Sequence, residues 1–178
     1  MITMISRSNI MLITDHIEHL RKSALSDTTI TDLMSCRSVV GAECATISPV
    51  LAQCDSVLVF PYPGNNGFCR YKLFPPIETT SGIMRYYQPA GSGNHLYVLP
   101  PVTAKLHDTS VPLFLVEGEK KDGSLVERGY TAAGIGGLWN WKETDSWDGI
   151  PELKEVPFVD REVVIVPDND IWSQKRID

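Results

Sequence analysis

Three carboxylates fall where apolar runs stop. Leu113-Phe114-Leu115-Val116 leads into Glu117-Gly118, and Val163-Val164-Ile165-Val166 leads into Pro167-Asp168-Asn169-Asp170. Continuous apolar runs suit parallel strands covered on both faces, and in an open parallel sheet the carboxyl ends of the strands line the ligand crevice. Asp168 and Asp170, two apart, project to one side of an extended backbone. Converging hard oxygen donors suit Mg²⁺ or Mn²⁺, which take one or two carboxylates and leave the other positions to water and substrate phosphate. Asp168 and Asp170 are therefore expected as metal ligands. Glu117, across the crevice, is expected as general acid or base on a phosphoester or 3′-hydroxyl, or as a third ligand. A single acid after a strand is commonly a cap or turn residue, so the signal lies in the pairing of Glu-Gly with Asp-x-Asp.

Cations and aromatics supply a second set of candidates. Lys120 and Lys121, just after Glu117, are placed to neutralise a bound phosphate, or to sit on the surface at a helix start. Alternation puts Phe68, Arg70 and Lys72 on one face of a strand and Arg85 with Tyr87 on one face of the next. Cations beside aromatics are what single-stranded nucleic-acid surfaces use, with ordinary cross-strand pairing as the competing reading. Gly134-Ile135-Gly136-Gly137 lacks the Lys-Ser/Thr of a P-loop and reads as a tight turn. Alternation also places Trp139 and Trp141 on one face, as core packing more readily than base stacking. Cys36, Cys44, Cys54 and Cys69 are separated by seven, nine and fourteen residues with no C-x-x-C pair, which points to buried reduced thiols rather than zinc. His16 and His19 read as a solvated helix face.

The elements that must position these residues follow from pattern and size. At 178 residues and 43% hydrophobic the chain can close a core, which excludes disorder as its main state. Its net charge of -6 is uneven: residues 1–110 carry eight basic and eight acidic groups, and residues 111–178 carry eight and fourteen. Net acidity is thus no argument against a nucleic-acid partner. No run approaches the roughly 20 apolar residues of a membrane helix, and Met1 to Thr14 lacks the form of a signal peptide, so a soluble cytoplasmic protein without membrane contact is expected.

Residues 1–110 read as an α+β region. Thr14 or Asp15 caps a helix with Ile17, Leu20 and Leu25, Asp27 caps a second with Ile30, Leu33 and Met34, and a third runs from about Ala42 to Gln53, broken or started near Pro49. An antiparallel meander follows, with strands Val57 to Tyr62, Phe68 to Phe74, Met84 to Gln88 and Leu96 to Leu99. Residues 111–178 read as an α/β region with a partial parallel sheet: strands Pro112 to Val116, Thr131 to Ile135 and Glu162 to Val166, and a weak helix Glu119 to Arg128.

The strand ending in Glu117-Gly118 and the strand ending in Asp168-Asn169-Asp170 together resemble the Toprim domain of bacterial primases, topoisomerases and small nucleases. Leu115-Val116-Glu117-Gly118-Glu119-Lys120-Lys121, Gly134-Ile135-Gly136-Gly137-Leu138-Trp139-Asn140-Trp141 and Val164-Ile165-Val166-Pro167-Asp168-Asn169-Asp170 are similar to a Toprim-like domain of unknown function in phage and plasmid replication proteins. The resemblance implies Mg²⁺ (or Mn²⁺) held by Glu117, Asp168 and Asp170, DNA or RNA as substrate, and primase-related nucleotidyl transfer in preference to cleavage. It also implies primase or helicase modules as partners; a small protein that docks onto a host protein is a separate, third reading. A Toprim sheet is expected to continue with a helix and a further strand after Asp170, so the chain reads as a truncated member. The alternative is a non-catalytic single-stranded nucleic-acid-binding or protein-interaction module that contacts its ligand through Arg70 and Arg85.

Overall fold

The computed structural model describes residues 11–144 and 146–169, which leaves Asp170 and Trp172 outside the described residues. The chain divides into two compact units, Met1–Gly93 and Asn94–Asp178. The expected division at 110/111 falls inside the second unit, because Leu96–Tyr97 pairs with a strand of that unit rather than with the meander.

In the first unit, α1 (Thr14–Arg21) buries His16, Ile17 and Leu20. Ile13 holds its N-cap position without a side-chain bond, so neither Thr14 nor Asp15 caps it. A π-helical turn, Thr29–Leu33, takes the place of the expected second helix. Its entry is capped by Ser26, whose Oγ accepts the Thr29 N–H at 3.2 Å, while Asp27 is engaged by both Nε and Nη2 of Arg21. The third expected helix is broken into short turns and α2 (Cys44–Ile47), because Ser48 adopts an extended backbone before Pro49. An unforeseen strand, β1 (Arg37–Val40), precedes it.

With β2 (Ser56–Pro61), β3 (Cys69–Thr79) and β4 (Gly82–Tyr87), β1 forms an antiparallel sheet in chain order. Val57, Leu58, Val59 and Phe60 are all fully buried, so both faces of β2 are covered, and each such side chain contributes about 1.5–3 kcal/mol. Val57, Val59 and Leu73 join Cys44, Leu51 and Cys54 on one face. On the other, His16 and His19 lie against the Phe74 ring at 4.4 and 5.5 Å. His16 is fully buried rather than solvated, with its ring nitrogens 2.8 Å from Ser38 Oγ and 3.0 Å from Ser56 Oγ. All four cysteines are buried and free.

The second unit contains β5 (Leu96–Tyr97), α3 (Pro100–Thr103), β6 (Leu113–Glu117), α4 (Glu119–Glu127), β7 (Ala132–Ile135), α5 (Pro151–Lys154) and β8 (Val163–Val166). The sheet order is β5-β7-β6-β8, with β6 parallel to both β7 and β8, and β5 antiparallel at the edge. The described residues thus form a mixture of helices, one antiparallel sheet and one mixed sheet. Leu96, Leu113, Ala133, Ile135, Ile150 and Val156 form a buried cluster in this unit. α4 runs unbroken through Asp122-Gly123 and packs closely over β7. A Cβ placed on Gly134 would stand 3.2 Å from Tyr97 Cβ and 3.4 Å from Asp122 Cβ, so this glycine serves a close helix-strand approach. No helix among the described residues is long and apolar enough to cross a membrane.

Candidate functional site

Parallel pairing of Val116 with Val166 makes Glu117 and Asp168 leave neighbouring strands at the same end of the sheet. Gly118 then turns the chain into α4 at φ +95, a conformation that side-chain-bearing residues rarely adopt. Its N–H donates to Ile135 O at 2.7 Å, which ties the turn to the end of β7. The half-buried Glu117 carboxylate bridges two loops: Oε2 accepts from Asp168 N–H at 2.9 Å and Oε1 from Leu138 N–H at 3.2 Å. The first turn of α4 brings Lys121 back over the strand end. There its ammonium ion-pairs with Asp168 Oδ1 and donates to the Glu117 carbonyl at 3.2 Å. Lys120 is half-buried, and burial holds its ammonium below the ordinary lysine range although Asp168 and Glu119 pull the other way.

Glu117, Lys120, Lys121 and Asp168 are therefore brought together. Asp170 lies outside the described residues, and among those residues no group of three or more His, Cys, Asp or Glu gathers to hold a metal. Glu117 and Asp168 alone present hard oxygen donors, and the ammonium at Asp168 marks a place where positive charge is favoured. This donor set fits a divalent cation that keeps most of its waters.

On α4 itself, Glu119 is 2% exposed and Asp122 is fully buried. Among the described residues neither Asp122 oxygen has a hydrogen-bond partner, and burial, followed by the nearby Glu119, pushes its carboxyl well above the usual range. Sequence reasoning singled out neither residue for chemistry. A helix repeat that returns Asp122 to the strand side was the available signal.

The first-unit candidates are arranged differently from the expectation. Lys72 pairs with Tyr86 and Tyr71 with Tyr87 across β3 and β4, and the register is irregular between Lys72 and Ile77. Tyr87 consequently packs against the apolar cluster, and Tyr86, not Tyr87, shares the face of the cations. Arg70 is only 8% exposed and lies over the Tyr86 ring at 5.1 Å. Lys72 lies over Tyr86 and Phe74 at 4.7 and 5.5 Å. Phe68 packs edge-to-face on Tyr62, and Arg85 is exposed.

Trp139 and Trp141 also separate. The segment after β7 is a turn, so strand alternation does not apply: Trp141 packs on the apolar cluster while Trp139 is exposed. No curated protein and no solved structure matches the chain. Residues 104–178, which hold β6, α4, β7, β8 and the Glu117–Lys121–Asp168 cluster, match the family described as Domain of unknown function (DUF3854).

Proposed function

We propose that the second unit is a Toprim-like, replication-associated domain of phage or plasmid type that binds Mg²⁺ or Mn²⁺ and acts on nucleic-acid phosphodiesters. Primase-related nucleotidyl transfer is preferred to cleavage on the resemblance of its motifs. The observation that supports the reading is the hydrogen bond from Asp168 N–H to Glu117 Oε2 at 2.9 Å, between the carboxyl ends of adjacent parallel strands. Asp168 offers an exposed carboxylate as ligand, and Asp170, two residues on, is proposed as the second. Glu117 keeps lone pairs beyond those used by Leu138 and Asp168, so it can hold both loops and still accept a proton or ligate. Lys121, freed from Asp168 by an incoming cation, is within reach of a phosphate bound in the crevice. When bound, the cation supplies charge neutralisation and polarisation of a phosphoryl oxygen.

Isothermal titration with Mg²⁺ and Mn²⁺ tests the reading. The wild-type protein is expected to give a saturable heat that Asp168→Ala/Asp170→Ala lacks. Equal, negligible heats in both would overturn it. A second reading, a binding module without catalysis, is favoured by the Lys121–Asp168 pair, which satisfies the crevice without a metal. It predicts single-stranded nucleic-acid binding indifferent to EDTA and to Glu117→Gln.

A further inference from the structure

The loop that leaves β7 at the crevice carries the most exposed aromatic rings of the described residues. Trp147 is 73% exposed and Trp139 is 54% exposed. Tryptophan is usually largely buried, so two such rings held side by side in water call for a partner. Their centroids are 6.4 Å apart in an edge-to-face arrangement, and Lys142 Nζ stands 4.2 Å over the Trp147 ring.

The segment that carries the rings is held at several points. Trp141 anchors the segment in the apolar cluster, and its carbonyl accepts from Ile150 N–H at 3.0 Å. Lys142 bridges to Gly149, Glu143 N–H donates to Asp148 O at 2.9 Å, and Asn94 Nδ2 donates to Lys142 O at 2.8 Å. The segment is also tied to the crevice: Leu138, whose N–H bonds to Glu117 Oε1, immediately precedes Trp139.

We propose that Trp139 and Trp147, with Lys142, form a base-stacking platform for single-stranded nucleic acid beside the Glu117–Asp168 crevice. The proposal deepens the functional reading above and rests on it for the choice of a nucleic acid. The exposed parts of the two indole rings accept any base, and the lysine over one ring supplies a cation for the adjoining phosphate. The Glu143 carboxylate pairs with Lys154 Nζ at 3.2 Å, which leaves Lys142 as the cation offered at the rings, so stacking dominates over phosphate neutralisation. The dependence of binding on salt is correspondingly shallow.

The test is fluorescence anisotropy of a labelled oligodeoxyadenylate, and of an abasic strand of the same length, with the full chain in EDTA. The wild type is expected to bind the adenylate at least about tenfold more tightly than the abasic strand. Trp139→Ala and Trp147→Ala are each expected to weaken adenylate binding about tenfold, and Trp147→Phe is expected to retain most of it. Equal thermal melts of the variants and the wild type would show that the fold is kept, since both rings are exposed. Unchanged affinity in both alanine variants, or equal affinity of the wild type for the two strands, overturns the platform. Because EDTA is present throughout, that failure is separate from a failure of the metal titration.

Discussion

Arg70 and Lys72 in the first unit and Lys142 in the second all stand over aromatic rings, at 5.1, 4.7 and 4.2 Å. What differs is the state of the rings. In the first unit the cations lie over Tyr86, the Phe74 ring is covered by His16, and Arg70 is nearly buried. There the pairs close a sheet face. In the second unit the Trp139 and Trp147 rings face water, on the segment whose Leu138 N–H bonds to Glu117 Oε1. The same residue types thus make packing in one place and a candidate ligand surface in the other, and exposure decides between them.

The buried ionisable groups repeat the contrast. His16 has a serine hydroxyl at each ring nitrogen, which is the satisfied state expected of a structural core group. Asp122 has none among the described residues, although α4 holds it tightly over Gly134. Burial lowers the His16 pKa to about 4 from 6.5, whereas burial raises that of Asp122.

The two groups should therefore give stability opposite pH slopes, the largest effects expected here. An acid with a raised folded pKa contributes fully below its unfolded value, and that contribution is lost as the pH rises. Relative to Asp122→Asn, the wild type should weaken by up to about 1.4 kcal/mol per pH unit above pH 4. A histidine with a depressed folded pKa contributes fully above pH 6.5 and loses that contribution on acidification towards pH 4. The loss should reach up to about 3 kcal/mol in the wild type and be absent in His16→Gln. Denaturant titrations of the three proteins at pH 4, 5.5 and 7 check both slopes, and parallel pH profiles would break the contrast.

A smaller effect sharpens the comparison of the cations. Arg70→Ala should cost about 1–3 kcal/mol of stability, through lost packing, and Arg85→Ala less than about 0.5 kcal/mol. Neither should alter binding of single-stranded DNA, measured by anisotropy alongside the tryptophan variants. Loss of binding in Arg85→Ala with the fold intact would move the nucleic-acid surface back to the meander.

The strands that carry Glu117 and Asp168 were legible because their signals are local: apolar runs set β6 and β8, and the acids follow directly. The pairing of Lys121 with Asp168 was not, because it joins residues 47 apart, and only the parallel register brings them together. Tyr86 was missed because the irregular register beyond Lys72 breaks the alternation on which the reading relied. Leu96–Tyr97 was assigned to the wrong sheet because two residues carry no local sign of their partner, which is β7. His16 was misread because an eight-residue helix gives a weak periodic signal, and its two serine partners lie on other elements.

The central claim, a divalent-cation site at the ends of β6 and β8, is tested most directly by adding Mn²⁺ to the isotope-labelled protein and recording amide signals. The account predicts paramagnetic broadening of the Gly118, Leu138 and Asp168 amides at low Mn²⁺, abolished by Asp168→Ala. Absence of selective broadening at these amides, or broadening there that persists in Asp168→Ala, would contradict it.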